Sequence, residues 1–196
     1  MKHYQRLEGM VAATFTPMDA RGDINLSVID KYADLMAESG MAGVFVCGTT
    51  GESHSLTTGE RKAILAQWIK SARKRFKVIA HVGSNCQLEA MELARHAQEV
   101  EADAFAAMAP CFFKPSSVKD LVDFFTPIAQ SAPDLPFYYY NMPSMTGVSL
   151  SVPSFLIEGK KTMPNLVGTK FTHNNLMEMG ECLELNNGEF EVDRKS

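Results

Sequence analysis

The stretch NLVGTKFTHNN, residues 165–175, places a lysine inside an apolar segment. Leu166, Val167 and Phe171 indicate a strand, and Lys170 lies between them with no carboxylate in the same strand. A buried ammonium group is costly unless it is paired or neutral. Because burial lowers the pKa of an amine, and a neutral amine attacks carbonyl carbons, Lys170 is a candidate for Schiff-base chemistry. A structural ion pair and an exposed strand end are the alternatives that the sequence leaves open.

A second stretch, YYYNMP at residues 138–143, supplies phenol groups. Side chains alternate across a strand, so Tyr138 and Tyr140 share one face and Tyr139 takes the other. At least one phenol is therefore expected to point into the interior of a barrel. Aromatic packing with a partner for each hydroxyl is the structural alternative.

A third stretch, GTTGES at residues 48–53, combines glycines with the hydroxyls of Thr49 and Thr50. Such a turn before a helix can bind a carboxylate or a phosphate through backbone N–H groups. An ordinary glycine-rich turn is an equally good interpretation of this stretch alone. An amine, a phenol and an anion-binding turn together indicate a class I aldolase or lyase that acts on a 2-oxo acid.

The elements that would hold these groups alternate between strand and helix. Apolar segments typical of buried parallel strands start roughly 30 residues apart, the length of a βα unit. They are residues 10–17, 43–48, 77–83, 103–110, 136–143 and 166–172. Helical patterns lie between them at 26–39, 57–74, 87–100 and 121–132, and Pro127 is expected to kink the last one or mark a restart. With no GxGxxG after the first strand, the pattern predicts an α/β fold of the (β/α)8 barrel type.

The number of units falls short of a closed barrel. After a helix at 176–187, the segment GEFEV begins a seventh strand, and the sequence ends at residue 196. A closed barrel takes about 250 residues. We therefore predict one incomplete domain over residues 1–196, truncated after about six and a half units, with unpaired edges on the first and sixth strands.

Composition excludes several classes of function. A net charge of −4 argues against a nucleic-acid partner. The four cysteines are scattered without metal-ligand spacing, which predicts free thiols and no metal. The N-terminus has no apolar signal segment and no apolar run reaches membrane-spanning length, so a cytoplasmic protein without a membrane partner is expected. Among the histidines, His81 is interpreted as a barrel residue with its hydrogen bonds satisfied.

Three motifs resemble those of the pyruvate-dependent class I aldolases, the family of N-acetylneuraminate lyase and dihydrodipicolinate synthase. GVFVCGTTGES is similar to the G-x-x-GE signature, YYYNMP to the Y-N-x-P signature, and VGTKFT to the Schiff-base lysine strand. Met145 stands where the synthases usually carry an arginine, and Phe112 and Phe113 stand where they carry a tyrosine pair. The resemblance therefore points to the N-acetylneuraminate lyase branch.

The resemblance implies cleavage of N-acetylneuraminate to N-acetylmannosamine and pyruvate by a cytoplasmic homotetramer without metal or cofactor. Lys170 would form the Schiff base, and Tyr140 would transfer protons. Thr49 and Thr50 would bind the substrate carboxylate, and Thr172 would contact a sugar hydroxyl. The family's remaining sugar-binding residues follow strands seven and eight and have no counterpart here. The alternatives are another 2-oxo-acid aldolase, or an inactive isoform that binds carboxylates or assembles with full-length subunits.

Overall fold

Seven strands form one parallel sheet in chain order in the computed structural model, which describes residues 5–194. They are β1 (Val11–Ala13), β2 (Gly43–Val46), β3 (Lys77–His81), β4 (Ala104–Met108), β5 (Phe137–Asn141), β6 (Leu166–Phe171) and β7 (Glu191–Arg194). All six strands predicted from the apolar segments are confirmed, each shorter than its segment. The seventh begins slightly later than predicted and pairs with β6.

Within residues 5–194, seven α-helices connect the strands. They are α1 (Ile29–Glu38), α2 (Thr58–Ala72), α3 (Gln87–Glu99), α4 (Val118–Gln130), α5 (Pro143–Thr146), α6 (Val152–Lys160) and α7 (Leu176–Glu184). The sequence patterns missed α5 and α6. Both helices carry proline in the first turn, where the missing N–H costs no hydrogen bond. Proline breaks the interior of a helix, so its presence hides the fact that a helix starts at these two places.

The structure shows how the capping residue of α2 and the proline inside α4 act. Thr57 caps α2, because its hydroxyl accepts from the Glu60 amide while the Glu60 carboxylate accepts from the Thr57 amide. In α4 the chain does not restart at Pro127, since the helix runs on to Gln130.

The two faces of the sheet have different surroundings. The helices cover one face and build the main hydrophobic core with it. The other face carries a smaller cluster of strand side chains: Phe45, Ile79, Ala104, Ala106, Met108, Tyr138, Tyr140 and Val167. The predicted alternation is confirmed, because Tyr138 and Tyr140 belong to this inner face and Tyr139 belongs to the outer core.

The edges of the sheet differ from the prediction. Within residues 5–194, β1 pairs only with β2 and β7 pairs only with β6, so the first strand is an edge as predicted and the other edge is β7 instead of the sixth strand. Four residues of a seventh strand are enough to cover β6. The segment before β1 lies beside β7, where the Arg6 side chain donates to the Gly188 carbonyl and the Leu7 amide donates to the Glu191 carboxylate.

Candidate active site

Lys170 lies on β6 with its ammonium group against two aromatic faces. Its Nζ is 5.0 Å from the ring centroid of Tyr140 and 5.4 Å from that of Phe45. Tyr140 of β5 and Asp193 of β7 are its register partners on the two neighbouring strands, so all three side chains belong to the inner face. The electron-rich ring faces stabilise a cation there. The partly buried lysine is therefore tolerated at the end of an apolar strand.

Tyr140 connects the lysine to the turn after β2. Its hydroxyl lies 3.2 Å from Thr49 Oγ1, and its side chain is almost fully buried. Burial raises the pKa of Tyr140, and the hydrogen bond with Thr49 opposes that rise. The phenol is consequently neutral near pH 7 and can donate a proton.

The turn after β2 has an unusual backbone. Cys47 is left-handed with a φ of 55°, which costs a non-glycine residue about 1 kcal/mol or more. The next two glycines leave room for neighbouring groups. A Cβ at Gly48 would come within 2.6 Å of the Phe45 ring, and a Cβ at Gly51 would come within 3.1 Å of the Thr14 carbonyl. Thr16 Oγ1 donates to the Gly51 carbonyl at 2.7 Å and fixes the far end of the turn.

A cavity of about 480 Å³ brings the predicted groups together, a volume typical of small-molecule sites. Lys170, Tyr140, Thr49 and Thr50 all line it. Thr172 is not one of its lining residues, and its hydroxyl donates to the Asn141 carbonyl at 2.7 Å. Four of the five predicted residues therefore share one cavity.

Lys170 also lines a second cavity of about 350 Å³ on the inner face. Tyr138 and Glu191 line this cavity, and the Tyr138 hydroxyl donates to Glu191 Oε2 at 2.8 Å. The lysine thus lies where the two cavities meet.

Sequence reasoning missed two residues that line both cavities, Phe45 and Asp193. Phe45 could have been found by extending the alternation rule to β2, where it is the inward-facing aromatic residue. Asp193 could be found only from the register of β7 against β6, which places it beside Lys170 in the sheet.

Comparison with known proteins identifies the family. The dihydrodipicolinate synthetase family matches residues 6–192. The chain belongs to this family. Mouse N-acetylneuraminate lyase is 43% identical over 184 residues, which are 93% of this chain and 58% of the mouse protein.

Solved structures of the family have the same architecture. The Proteus mirabilis N-acetylneuraminate lyase superposes with a TM-score of 0.94 at 37% identity, over 97% of this chain and 64% of that one. The Aquifex aeolicus dihydrodipicolinate synthase superposes with a TM-score of 0.89 at 31% identity, over 96% of this chain and 63% of that one. The barrel-type fold is confirmed, and the chain spans less than two thirds of the length of these relatives.

The remaining predictions from the sequence concern cysteines, metal-ligand clusters and membrane-spanning helices. Its cysteines, Cys47, Cys86, Cys111 and Cys182, are free thiols, as predicted. Over residues 5–194, no group of three or more His, Cys, Asp or Glu side chains is placed to hold a metal ion. None of the helices in that range has the length and apolar character needed to cross a membrane.

Proposed function

We propose that this chain is a Schiff-base-forming carbon–carbon lyase that cleaves N-acetylneuraminate to N-acetylmannosamine and pyruvate. The observation that carries the proposal is the shared cavity of Lys170, Tyr140, Thr49 and Thr50. An amine, a phenol and a turn suited to a carboxylate are the groups that such a reaction needs.

The chemistry assigns one role to each group. The Lys170 amine attacks the C2 keto carbon, and loss of water gives a protonated imine. The imine accepts the electron pair of the C3–C4 bond as that bond breaks, and the C4 hydroxyl loses its proton to become the aldehyde of the released sugar. A proton then returns to C3 of the enamine, and water hydrolyses the imine to pyruvate and free lysine. We assign these proton transfers to Tyr140, because it lines the cavity and its ring centroid lies 5.0 Å from Lys170 Nζ.

The carboxylate of the 2-oxo acid is bound by the turn after β2. Among residues 5–194, the backbone amides of Thr49 and Thr50 donate no hydrogen bond to another backbone group. Hydroxyl and amide donors at the start of this turn favour an anion. Thr172 is proposed to contact a sugar hydroxyl, since its own hydroxyl lies at the end of β6 and can still accept a hydrogen bond.

The choice of an acylated sugar acid over a dicarboxylate substrate rests on the relatives and on Met145. Mouse and Proteus mirabilis N-acetylneuraminate lyases are among the similar proteins that carry this substrate in their names. Met145 of α5 is exposed and has no charge with which to hold a second carboxylate. We also propose a metal-independent cytoplasmic homotetramer, which the free thiols and the family resemblance support.

Borohydride reduction in the presence of pyruvate tests the imine. We expect peptide mass mapping to find a reduced pyruvate adduct on Lys170 that disappears in Lys170→Ala. Lys161→Ala is the matched control, because Lys161 is exposed and pairs with Glu158 on α6. An adduct absent from folded protein would contradict the lyase proposal and favour a chain that binds carboxylates, or assembles with longer subunits, without turnover.

The substrate is tested separately. Product analysis with N-acetylneuraminate and with other 2-oxo sugar acids should show N-acetylmannosamine as the released aldehyde. Preferential cleavage of a different 2-oxo acid would identify a different aldolase of the same family.

A further inference from the structure

A buried arginine lies close to the turn after β2, and no carboxylate among the described residues is within salt-bridge distance of it. Arg61 of α2 is only 5% exposed. Within the described residues, Arg61 Nη1 donates to the Gly83 carbonyl at 3.0 Å and Nη2 donates to the His81 carbonyl at 2.7 Å. Burying a guanidinium group is costly, so its retention at this place needs a reason.

Arg61 holds the backbone at the end of β3, and the His81 side chain connects this backbone to the residue after β2. His81 Nδ1 lies 2.9 Å from the Cys47 carbonyl oxygen. A carbonyl only accepts, so Nδ1 must carry the proton and donate it. Arg61 Nη2, 3.4 Å from the same nitrogen, therefore cannot also donate to it, and its proton goes to the His81 carbonyl instead.

The hydrogen bond from His81 acts on a residue of the turn whose backbone is strained. Cys47 is the left-handed residue that redirects the chain from β2 into the segment with Thr49 and Thr50. Strained backbone persists only where its surroundings hold it. The His81 ring also packs edge-on against Tyr140, with centroids 5.7 Å apart, so the same side chain contacts both the turn and the proposed proton-transfer residue.

We propose that Arg61 and His81 are positioning residues that hold the turn after β2 in the conformation that binds the carboxylate of a 2-oxo acid. Neither side chain is assigned contact with the substrate, and neither lines the cavity of about 480 Å³. Arg61 acts on His81, and His81 acts on Cys47. The inference rests on the proposed function for the identity of the ligand.

A pyruvate titration followed by 1H–15N NMR tests the inference at the turn itself. The Lys170→Ala background is used, so that the amide signals of Thr49 and Thr50 report carboxylate binding without imine formation. We compare Arg61→Met, which keeps side-chain length but removes the donors, with His81→Phe, which keeps a ring beside Tyr140 but removes Nδ1. Arg95→Met on the exposed side of α3 is the matched control.

The midpoint of the titration is the pyruvate concentration that gives half of the full amide shift. We expect it to rise about tenfold in Arg61→Met and in His81→Phe, because each variant loses the contribution of one hydrogen bond. We expect Arg61→Lys to have a smaller effect and Arg95→Met to leave the midpoint within about twofold of the parent. A purely structural role would lower the unfolding temperature and leave this midpoint unchanged, because the signals come from folded molecules. Should Arg61→Met fail to fold, Arg61→Lys and His81→Phe still decide the question.

The outcomes separate this inference from the proposed function. Equal midpoints in parent and variants, or no shift of the Thr49 and Thr50 amides in the parent, would overturn the positioning role. Amide shifts in the Lys170→Ala parent, together with no borohydride adduct on Lys170 of the unsubstituted protein, would overturn the lyase proposal and leave the positioning role standing.

Discussion

At the scale of single residues, the aromatic faces around Lys170 explain how an amine can be placed inside a barrel without a carboxylate in its own strand. Phe45 and Tyr140 offer ring faces on two sides of the ammonium group. Contacts of this kind contribute about 0.5–2 kcal/mol depending on desolvation. Lys170 lines both cavities of the inner face, so these ring contacts are compatible with access to a ligand.

Replacing Tyr140 separates imine formation from proton transfer. In Tyr140→Phe the ring that contacts Lys170 stays and the hydroxyl bonded to Thr49 is lost. We expect the borohydride adduct on Lys170 to persist, while exchange of the pyruvate methyl protons with deuterium oxide slows by about 10²-fold or more. Loss of the methyl signal in 1H NMR measures this exchange.

Tyr139→Phe is the control at the next position, because Tyr139 lies on the outer face of β5. It should exchange the methyl protons at the parental rate. Equal rates in the parent and in Tyr140→Phe would remove Tyr140 from the proton-transfer role.

His81 gives the stability of the protein a pH dependence. Burial, with Arg61 and other nearby positive groups, lowers the pKa of His81 well below 6.5. The native protein therefore keeps His81 neutral, whereas the unfolded chain takes up a proton below pH 6.5. Stability must fall as the pH drops below that value, by at most about 1.4 kcal/mol per pH unit for one proton.

Urea unfolding of His81→Phe between pH 5 and 8 checks this reasoning. The variant should lose less stability on acidification than the parent, because one group that protonates on unfolding is gone. Above pH 7.5 the two stability curves should run parallel, which is the internal control. Identical slopes below pH 6.5 would show that His81 is protonated to the same extent in both states.

At the scale of secondary-structure elements, strands were easier to predict than helices in this chain. Strands buried on both faces leave continuous apolar runs, and parallel pairing then brings Lys170, Tyr140, Thr49 and Thr50 to one end of the sheet. The helix α6 was missed because Pro153 and a short span weaken its pattern.

Contacts between distant elements could not be predicted from local sequence. Arg61 lies in an ordinary helical pattern, and only the fold shows that its side chain reaches the end of β3. The same is true of Asp193, whose place beside Lys170 depends on the register of β7. The sequence predicts that the hydrogen bonds of His81 are satisfied, but among the described residues Nδ1 has a partner and the buried Nε2 has none.

The pairing of β6 with β7 depends on the absence of a side chain at Gly168. A Cβ there would lie 2.0 Å from the Glu191 carbonyl oxygen, and a backbone atom cannot move aside easily. We expect Gly168→Ala to lower the free energy of unfolding by about 3 kcal/mol, which is the upper end of the usual cost of adding a side chain to a tightly packed site. Denaturant unfolding measures the change.

Gly180→Ala supplies the matched control. A Cβ at Gly180 in α7 meets no atom within 4 Å, so alanine should stabilise the helix by about 0.5–1 kcal/mol. If Gly168→Ala unfolds with the stability of the parent, β7 does not pair with β6 as closely as the register indicates.

At the scale of the whole molecule, the barrel-type sheet is open between β1 and β7, which do not pair with each other within residues 5–194. The inner face that a closed barrel would fill is reached at this gap by the segment Arg6–Gly9, which lines the cavity of about 350 Å³. Unpaired strand edges are sites at which other strands can add. Lys170 lines the same cavity as this segment.

Hydrogen–deuterium exchange tests whether the gap is open in solution. Amides of β4 and β5 are paired on both sides and fully buried, so they should exchange only through global unfolding. Amides of β1 and β7 should exchange much faster at low protein concentration, because each strand has one paired side. Protection of both edges that grows with concentration would show that another copy covers them, and sedimentation at the same concentrations would reveal the assembly. Edge protection equal to that of β4 in a dilute monomer would contradict the open sheet.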